Sequence, residues 1–171
     1  MMRNAITVFN EWAEKNKDTG MEKGHSASVE EMLKHALKER EKIGDFFSFL
    51  DLGCGNGWVV RKVAKNNLCE KAMGVDGSKK MIAKARAIKP YCEYFLANID
   101  SLKTSQKFDL IHSMEVLYYL DSPEECVNNV STKWLANGGR FIVGIDHYFE
   151  NEQSHSWEKK VGTPMMMLKE S

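Results

Sequence analysis

Asp51-Leu52-Gly53-Cys54-Gly55-Asn56-Gly57 is the stretch on which the fold of this chain turns. It starts inside a short apolar run, residues 46–52, bounded by Gly44 and Gly53, which reads as a strand buried on both faces. Residues 58–65 follow with Val59, Val60, Val63 and Ala64 on one face, predicting a helix that begins directly after the glycines. Glycine suits such a turn because the chain must reverse sharply and let its backbone approach a ligand with no Cβ in the way. Asp76 lies nineteen residues beyond Gly57, at the end of the next apolar run, where a carboxylate accepts hydrogen bonds from ribose hydroxyls. Strand, glycine turn, helix and acidic residue together predict a site for a nucleoside-containing cofactor.

The unit repeats outward from this loop. Residues 72–75 read as a second strand, and Ser78 caps a helix carrying Met81, Ile82 and Ala85 that stops near Pro90. Residues 94–97 read as a third strand and 108–113 as a fourth. Ser122-Pro123-Glu124-Glu125 then opens a helix running through Val127, Val130 and Trp134, and Asn137-Gly138-Gly139 turns the chain into a fifth strand, residues 140–145. Upstream, Val29, Met32, Leu33, Ala36 and Leu37 recur at helical spacing behind Ser28 and Glu31, which read as a capping box. The alternation predicts an α/β, Rossmann-like, doubly wound and mostly parallel sheet with ligands at the strands' carboxyl ends. Residues 151–171, with Trp157 and Met165-Met166-Met167, depart from the pattern and read as an irregular tail.

The chain has 171 residues, 43% hydrophobic and 28% charged, so one domain with a real core is expected. Its parts are an N-terminal helical cap over residues 1–44, the core over 45–147 and the tail over 148–171. Basic and acidic residues number 24 each and are interleaved, which argues for a small-molecule substrate over nucleic acid. The four cysteines show no C-x-x-C spacing, so neither a zinc site nor a disulfide framework is expected. No leader-like apolar segment and no run near ~18 apolar residues occurs, and a soluble cytoplasmic location with no membrane contact is the expectation. Oligomeric state is not legible.

The loop, read from Leu50 to Gly57, resembles the first motif of class I, Rossmann-like S-adenosylmethionine (SAM) dependent methyltransferases, of the small-molecule type. Nicotinamide enzymes more often carry G-x-G-x-x-G, and no third glycine stands at that spacing here. Gly74-Val75-Asp76-Gly77-Ser78 with Met81, Asn98-Ile99-Asp100-Ser101-Leu102, Phe108-Asp109-Leu110-Ile111, and Leu135 with Gly138-Gly139-Arg140-Phe141 resemble the family's later motifs in order and spacing.

The resemblance implies SAM as cofactor. Gly53, Cys54, Gly55, Asn56 and Gly57 would cradle its amino acid part, with Asp51 on the ammonium. Asp76 and Gly77 would take the ribose and Met81 would pack on adenine. Asn98, with Ile99, is the first candidate for the adenine amino group, and Asp100 the second. Ser113 and Met114 would line the pocket beneath the sulfonium. Glu115, Tyr118 and Tyr119 after the fourth strand, and Asp146, His147 and Tyr148 after the fifth, are candidates to face the acceptor, with Glu115 or His147 as general base where one is needed. No catalytic residue or metal site is assigned.

The reaction implied is methyl transfer to an oxygen or nitrogen of a small molecule. A non-catalytic SAM-binding module and an NAD(P)-dependent oxidoreductase are the alternatives. The family's sheet continues to a final antiparallel hairpin that this chain does not supply after residue 147, so a truncated product, a substitute tail or a completing partner are all open. The segment before strand one, with Trp12, a Gly20-Met21 break and a Gly24-His25-Ser26 turn, is expected to hinge over the site as a lid.

Overall fold

The computed structural model describes residues 4–89 and 91–161. Pro90 and the run Met165-Met166-Met167 lie outside them. Among the described residues the sheet has five strands in the order β3-β2-β1-β4-β5. These are β1 (Phe47–Leu52), β2 (Cys69–Asp76), β3 (Glu93–Leu96), β4 (Phe108–Met114) and β5 (Leu135–Gly144), and all their pairings are parallel. Helices α1 (Ala5–Glu14) and α2 (Asp18–Ile43) precede the sheet, α3 (Trp58–Val63), α4 (Lys79–Ile88) and α5 (Pro123–Asn129) connect its strands, and α6 (Trp157–Val161) follows it. This is the Rossmann-like arrangement expected.

Strand β1 sits in the middle and is buried along nearly its whole length. Its alternate side chains feed two cores, Phe47 and Phe49 with α2 and α3 on one face, Leu50 and Leu52 with Ile111, Val130 and Trp134 on the other. That double burial explains the continuous apolar run in the sequence. Chain order reverses between β1 and β4, which opens a crevice at their carboxyl ends.

Local signals hold where a side chain caps or turns the chain. The Ser78 hydroxyl accepts from Met81 N–H at 3.2 Å, and Ser122 does the same for Glu125 N–H at 3.4 Å with Pro123 behind it. After α5 the helix widens into a π turn that buries Val130 and Trp134, whereas Val127 faces solvent. Strand β5 begins earlier than expected: Leu135 pairs with Phe108, the chain bulges with Gly138 at φ 74°, and regular pairing runs from Arg140.

The N-terminal reading needs correction. Ser28 does not start a helix; it lies inside α2, which runs unbroken from Asp18 through Gly20 and Gly24. The break falls earlier, at Asn16, whose φ is 54° and whose carbonyl accepts from the Thr19 hydroxyl. Each glycine costs an exposed helix about 1 kcal/mol relative to alanine, and tertiary contacts offset that here. Asp18 is anchored by Lys84 and Asn56, and His25 sits 3.7 Å from Asp146.

Trp134 is the largest fully buried side chain. Trp134→Ala is expected to lower unfolding free energy by about 3–5 kcal/mol, and Val127→Ala by no more than ~0.5 kcal/mol, both read from urea denaturation.

Candidate functional site

The glycine loop is pinned to the end of β2. Gly53 and Cys54 donate their N–H groups to Val75 O at 2.8 and 3.0 Å, and Gly55 N–H donates to Asp76 Oδ2 at 2.8 Å. Asp76 Oδ1 accepts from Ser78 N–H at 2.7 Å. Burial pushes the Asp76 carboxyl up to about 6 against the pull of these two N–H groups. The three glycines serve different ends. A Cβ on Gly53 would lie 2.2 Å from Val116, and one on Gly57 would lie 2.4 Å from the Tyr94 ring, so both are filled by packing. A Cβ on Gly55 meets nothing within 4 Å, because Gly55 faces a cavity of about 240 Å³.

That cavity lies over the crevice. Asp51, Gly53, Cys54, Gly55, Asn56, Asp76, Gly77, Met81, Asn98, Ile99, Asp100 and Met114 all line it. Asn98 Oδ1 accepts from Asp100 N–H at 3.2 Å, holding the short turn that presents this segment. Gly57 and Ser113 do not line it; Ser113 is fully buried and donates its hydroxyl to Leu52 O at 3.1 Å. The Cys54 thiol is buried and held well above its ordinary range by burial and by the carboxylates of Asp76 and Asp51, so it packs as a neutral group.

Several lining residues escaped the sequence reading, His112 and Asp18 among them. His112, opposite Asp51 in the β1–β4 register, places Nδ1 2.7 Å from Asp51 Oδ1. Its Nε2 is buried without a protein partner. The signal was the parallel pairing of β1 with β4, which residue spacing alone does not give. Asp18 accepts from Asn56 Nδ2 at 3.0 Å and pairs with Lys84 at 2.6 Å. Burial pushes its carboxyl up, but Lys84 and Asn56 outweigh that and hold it below its usual range. Trp58 also lines the cavity.

Helices α1 and α2 supply the outer wall through Ile6, Phe9, Met21, Glu22 and His25. Helix α1 is fastened to α4: Asn10 Oδ1 accepts from the Ser78 hydroxyl at 2.9 Å and from Lys80 N–H at 3.1 Å. Trp12 stays out of the cavity, its ring edge-on to Phe9 at 5.5 Å.

The other end of the cavity is built by the residues after β4. Glu115 is buried and has φ 60°, a left-handed conformation that costs a residue with a side chain. Its carboxylate accepts from the Tyr118 hydroxyl and from Asp146 N–H. Burial raises it to about 7. Glu115 and Tyr119 line the cavity, whereas Tyr118, His147 and Tyr148 do not. His147 is 1% exposed, stacked on Trp157 at 5.7 Å and met by Tyr118 at 5.3 Å. Burial lowers its pKa, and it does not line the cavity. Among the described residues no His, Cys, Asp and Glu group is arranged to hold a metal, and no helix is long and apolar enough to cross a membrane.

The model of the methyltransferase domain matches residues 50–143, more than half of the 171. The malonyl-[acyl-carrier protein] O-methyltransferase of Halalkalibacterium halodurans is 29% identical over 68% of this chain and 46% of its own length. Trans-aconitate 2-methyltransferase of an Enterobacter strain is 31% identical over 73% of this chain and 49% of its own. The chain thus spans about half the length of these curated relatives. In a solved complex from Haloferax volcanii, between the Trm112 methyltransferase activator and a methyltransferase described there as unproven, the matched chain superposes with a TM-score of 0.78 at 26% identity, covering 98% of this chain and 71% of that one. A match that begins within β1, takes in the whole cradle and ends within β5 shows that the chain belongs to the class I, SAM-dependent methyltransferase family.

Proposed function

We propose that this chain binds SAM in the crevice and transfers its methyl group to an oxygen or nitrogen of a small-molecule acceptor. The observation that carries this reading is the pairing of Gly55, open to the cavity, with Asp76, whose carboxylate is held at the cavity rim by two backbone N–H groups. The residues fit such a cofactor. Asp76 would take the ribose hydroxyls, Met81 and Ile99 would flank a base, and the Asp51 carboxylate, hydrogen-bonded to His112, would face an ammonium. When bound, SAM supplies an electrophilic methyl group on a sulfonium. The protein's part is to align the acceptor in line with it and to exclude water.

A dependence on an activator protein is the second reading, favoured by the Haloferax complex and by the half-exposed Phe95 and Leu96 on the edge strand β3. Adding a Trm112 protein to the purified chain raises turnover under that reading and leaves it unchanged under the first.

Calorimetry should show SAM or its demethylated product binding with measurable heat and NAD giving none; tight NAD binding with silent SAM defeats the proposal. Gly55→Ala should fold yet lose cofactor binding, because its methyl group enters the cavity. Asp76→Ala should weaken SAM by about 1.5–3 kcal/mol, and Asp100→Ala by less; the reverse order would put the ribose at Asp100. Helix α1 serves as the cap in this reading, hinged at Asn16 and not at the glycines of α2. Removing residues 1–17 should weaken SAM binding while circular dichroism shows the rest of the domain folded.

A further inference from the structure

The charge of the cavity wall selects among acceptors. Asp18, Glu22, Asp51, Asp76, Asp100, Glu115 and Asp121 all line it, and among the described residues no Lys or Arg does. Four of these carboxylates are already engaged: Asp18 by Lys84 and Asn56, Asp51 by His112, Asp76 by two backbone N–H groups, and Glu115 by the Tyr118 hydroxyl and Asp146 N–H. The rest of the acidic lining is Asp100 and Asp121 and, on α2, Glu22. His25, the cavity's other titratable base, lies 3.7 Å from Asp146, so even its protonated form is matched by a carboxylate outside the lining. A carboxylate or phosphate acceptor would enter a wall of its own sign with no Lys or Arg side chain to meet it, and the protein would compensate little of its desolvation. An ammonium meets the reverse, with the Phe9 and Tyr119 rings, edge to face at 5.2 Å, as an aromatic wall beside it.

Glu115 stands out within this lining. Its left-handed backbone points to a position held against its own preference, and such strain concentrates at functional sites. Tyr118 and Asp146 N–H fix its carboxylate, and the side chain reaches the cavity wall.

We propose that the acceptor is an amine, seated with its nitrogen against Glu115, which removes the proton that masks the nitrogen lone pair. The inference rests on the methyl-transfer reading above. An ammonium R–NH3+ passes one proton to the Glu115 carboxylate. The freed lone pair forms the new N–C bond while the methyl's C–S bond breaks, its electrons staying on sulfur. The products are R–NH2+–CH3 and the neutral thioether, and Glu115 then returns its proton to solvent. The groups facing Glu115 are Tyr118 and Tyr119 from the same connection and Asp146 after β5, with His25 of α2 behind Asp146. Burial sets its midpoint at about 7, so ammonium binding strengthens as pH rises through that value.

The test uses the full chain saturated with S-adenosylhomocysteine, its binding first verified by calorimetry. If that binding is absent, the methyl-transfer reading fails on its own account. Fragment triplets follow, each an amine, an alcohol and a carboxylate on one skeleton (benzyl, cyclohexylmethyl, indolylethyl), with dissociation constants read by NMR titration. Amines should bind at least tenfold more tightly than their alcohol and carboxylate partners. Glu115→Gln should cut amine affinity roughly tenfold to a hundredfold, as expected for loss of a hydrogen bond to a charged group, while leaving S-adenosylhomocysteine affinity unchanged. Should Glu115→Gln fail to fold, Tyr118→Phe removes one donor to the carboxylate and should move the pH midpoint of amine binding upward. No preference among the three classes, including no binding of any, or a preference for alcohols or carboxylates, overturns the proposal. So does an amine affinity that neither variant alters.

Discussion

Everything at the site follows from β1 being hydrogen-bonded on both sides by parallel neighbours. Parallel pairing fixes register along a whole strand, so the carboxyl ends of β2, β1 and β4 come to one level. Asp51 is thereby set beside Gly74 on one side and His112 on the other. The loop after β1 has its first N–H groups taken by Val75 O and Asp76, so its path is settled before any ligand arrives. A cradle built in this way needs little rearrangement to receive a cofactor, and the ordering cost falls on folding instead of on binding.

The core and its cradle were legible because their signals are local. A doubly buried strand, a glycine turn and a serine cap each declare themselves within a few residues, and Ser78 and Ser122 do cap where expected. The N-terminal helices were not legible in the same way. Gly20 and Gly24 look like breakers, but Asp18 is held by Lys84 and His25 lies beside Asp146, residues far along the chain whose contacts spacing does not give. His112 was missed for a similar reason: within its strand it reads as one more core residue, and only the neighbouring strand gives it a carboxylate. Ser113 went the other way, its hydroxyl spent on Leu52 O inside the sheet. Signals carried by tertiary neighbours are absent from spacing.

Electrostatics divides the cavity's acids into two kinds. Asp18 has a lysine within reach and stays readily ionised. Asp76 and Glu115 have burial without a basic side chain among their hydrogen-bond partners, and their carboxyls are pushed up to about 6 and about 7. Each is then an acid whose charge state responds to what lies beside it, a cationic neighbour favouring ionisation. In folding terms both are costs: the native state binds more protons than the unfolded chain between the ordinary carboxylate range and these raised values, so stability from these groups falls as pH climbs through that window. Raised carboxyls of this kind cluster at functional sites, though structural networks produce them too.

The packing of Gly53 against Val116 carries a consequence for how this lineage can drift. The two positions lie on different strands' exits yet share one small volume, since a methyl group on the first would stand 2.2 Å from the second. The glycine cannot grow alone. An alanine at the first glycine needs a chain that has already shrunk its partner after β4, and even then keeps the strain of φ 75°; the same holds for Gly57, at φ 79°, and the Tyr94 ring on β3. Homologues should therefore vary at these places in pairs, with the order of substitution constrained: the bulky partner retreats first. Gly55, facing empty space, has no such partner, and its persistence across a lineage would report on ligand and backbone conformation alone.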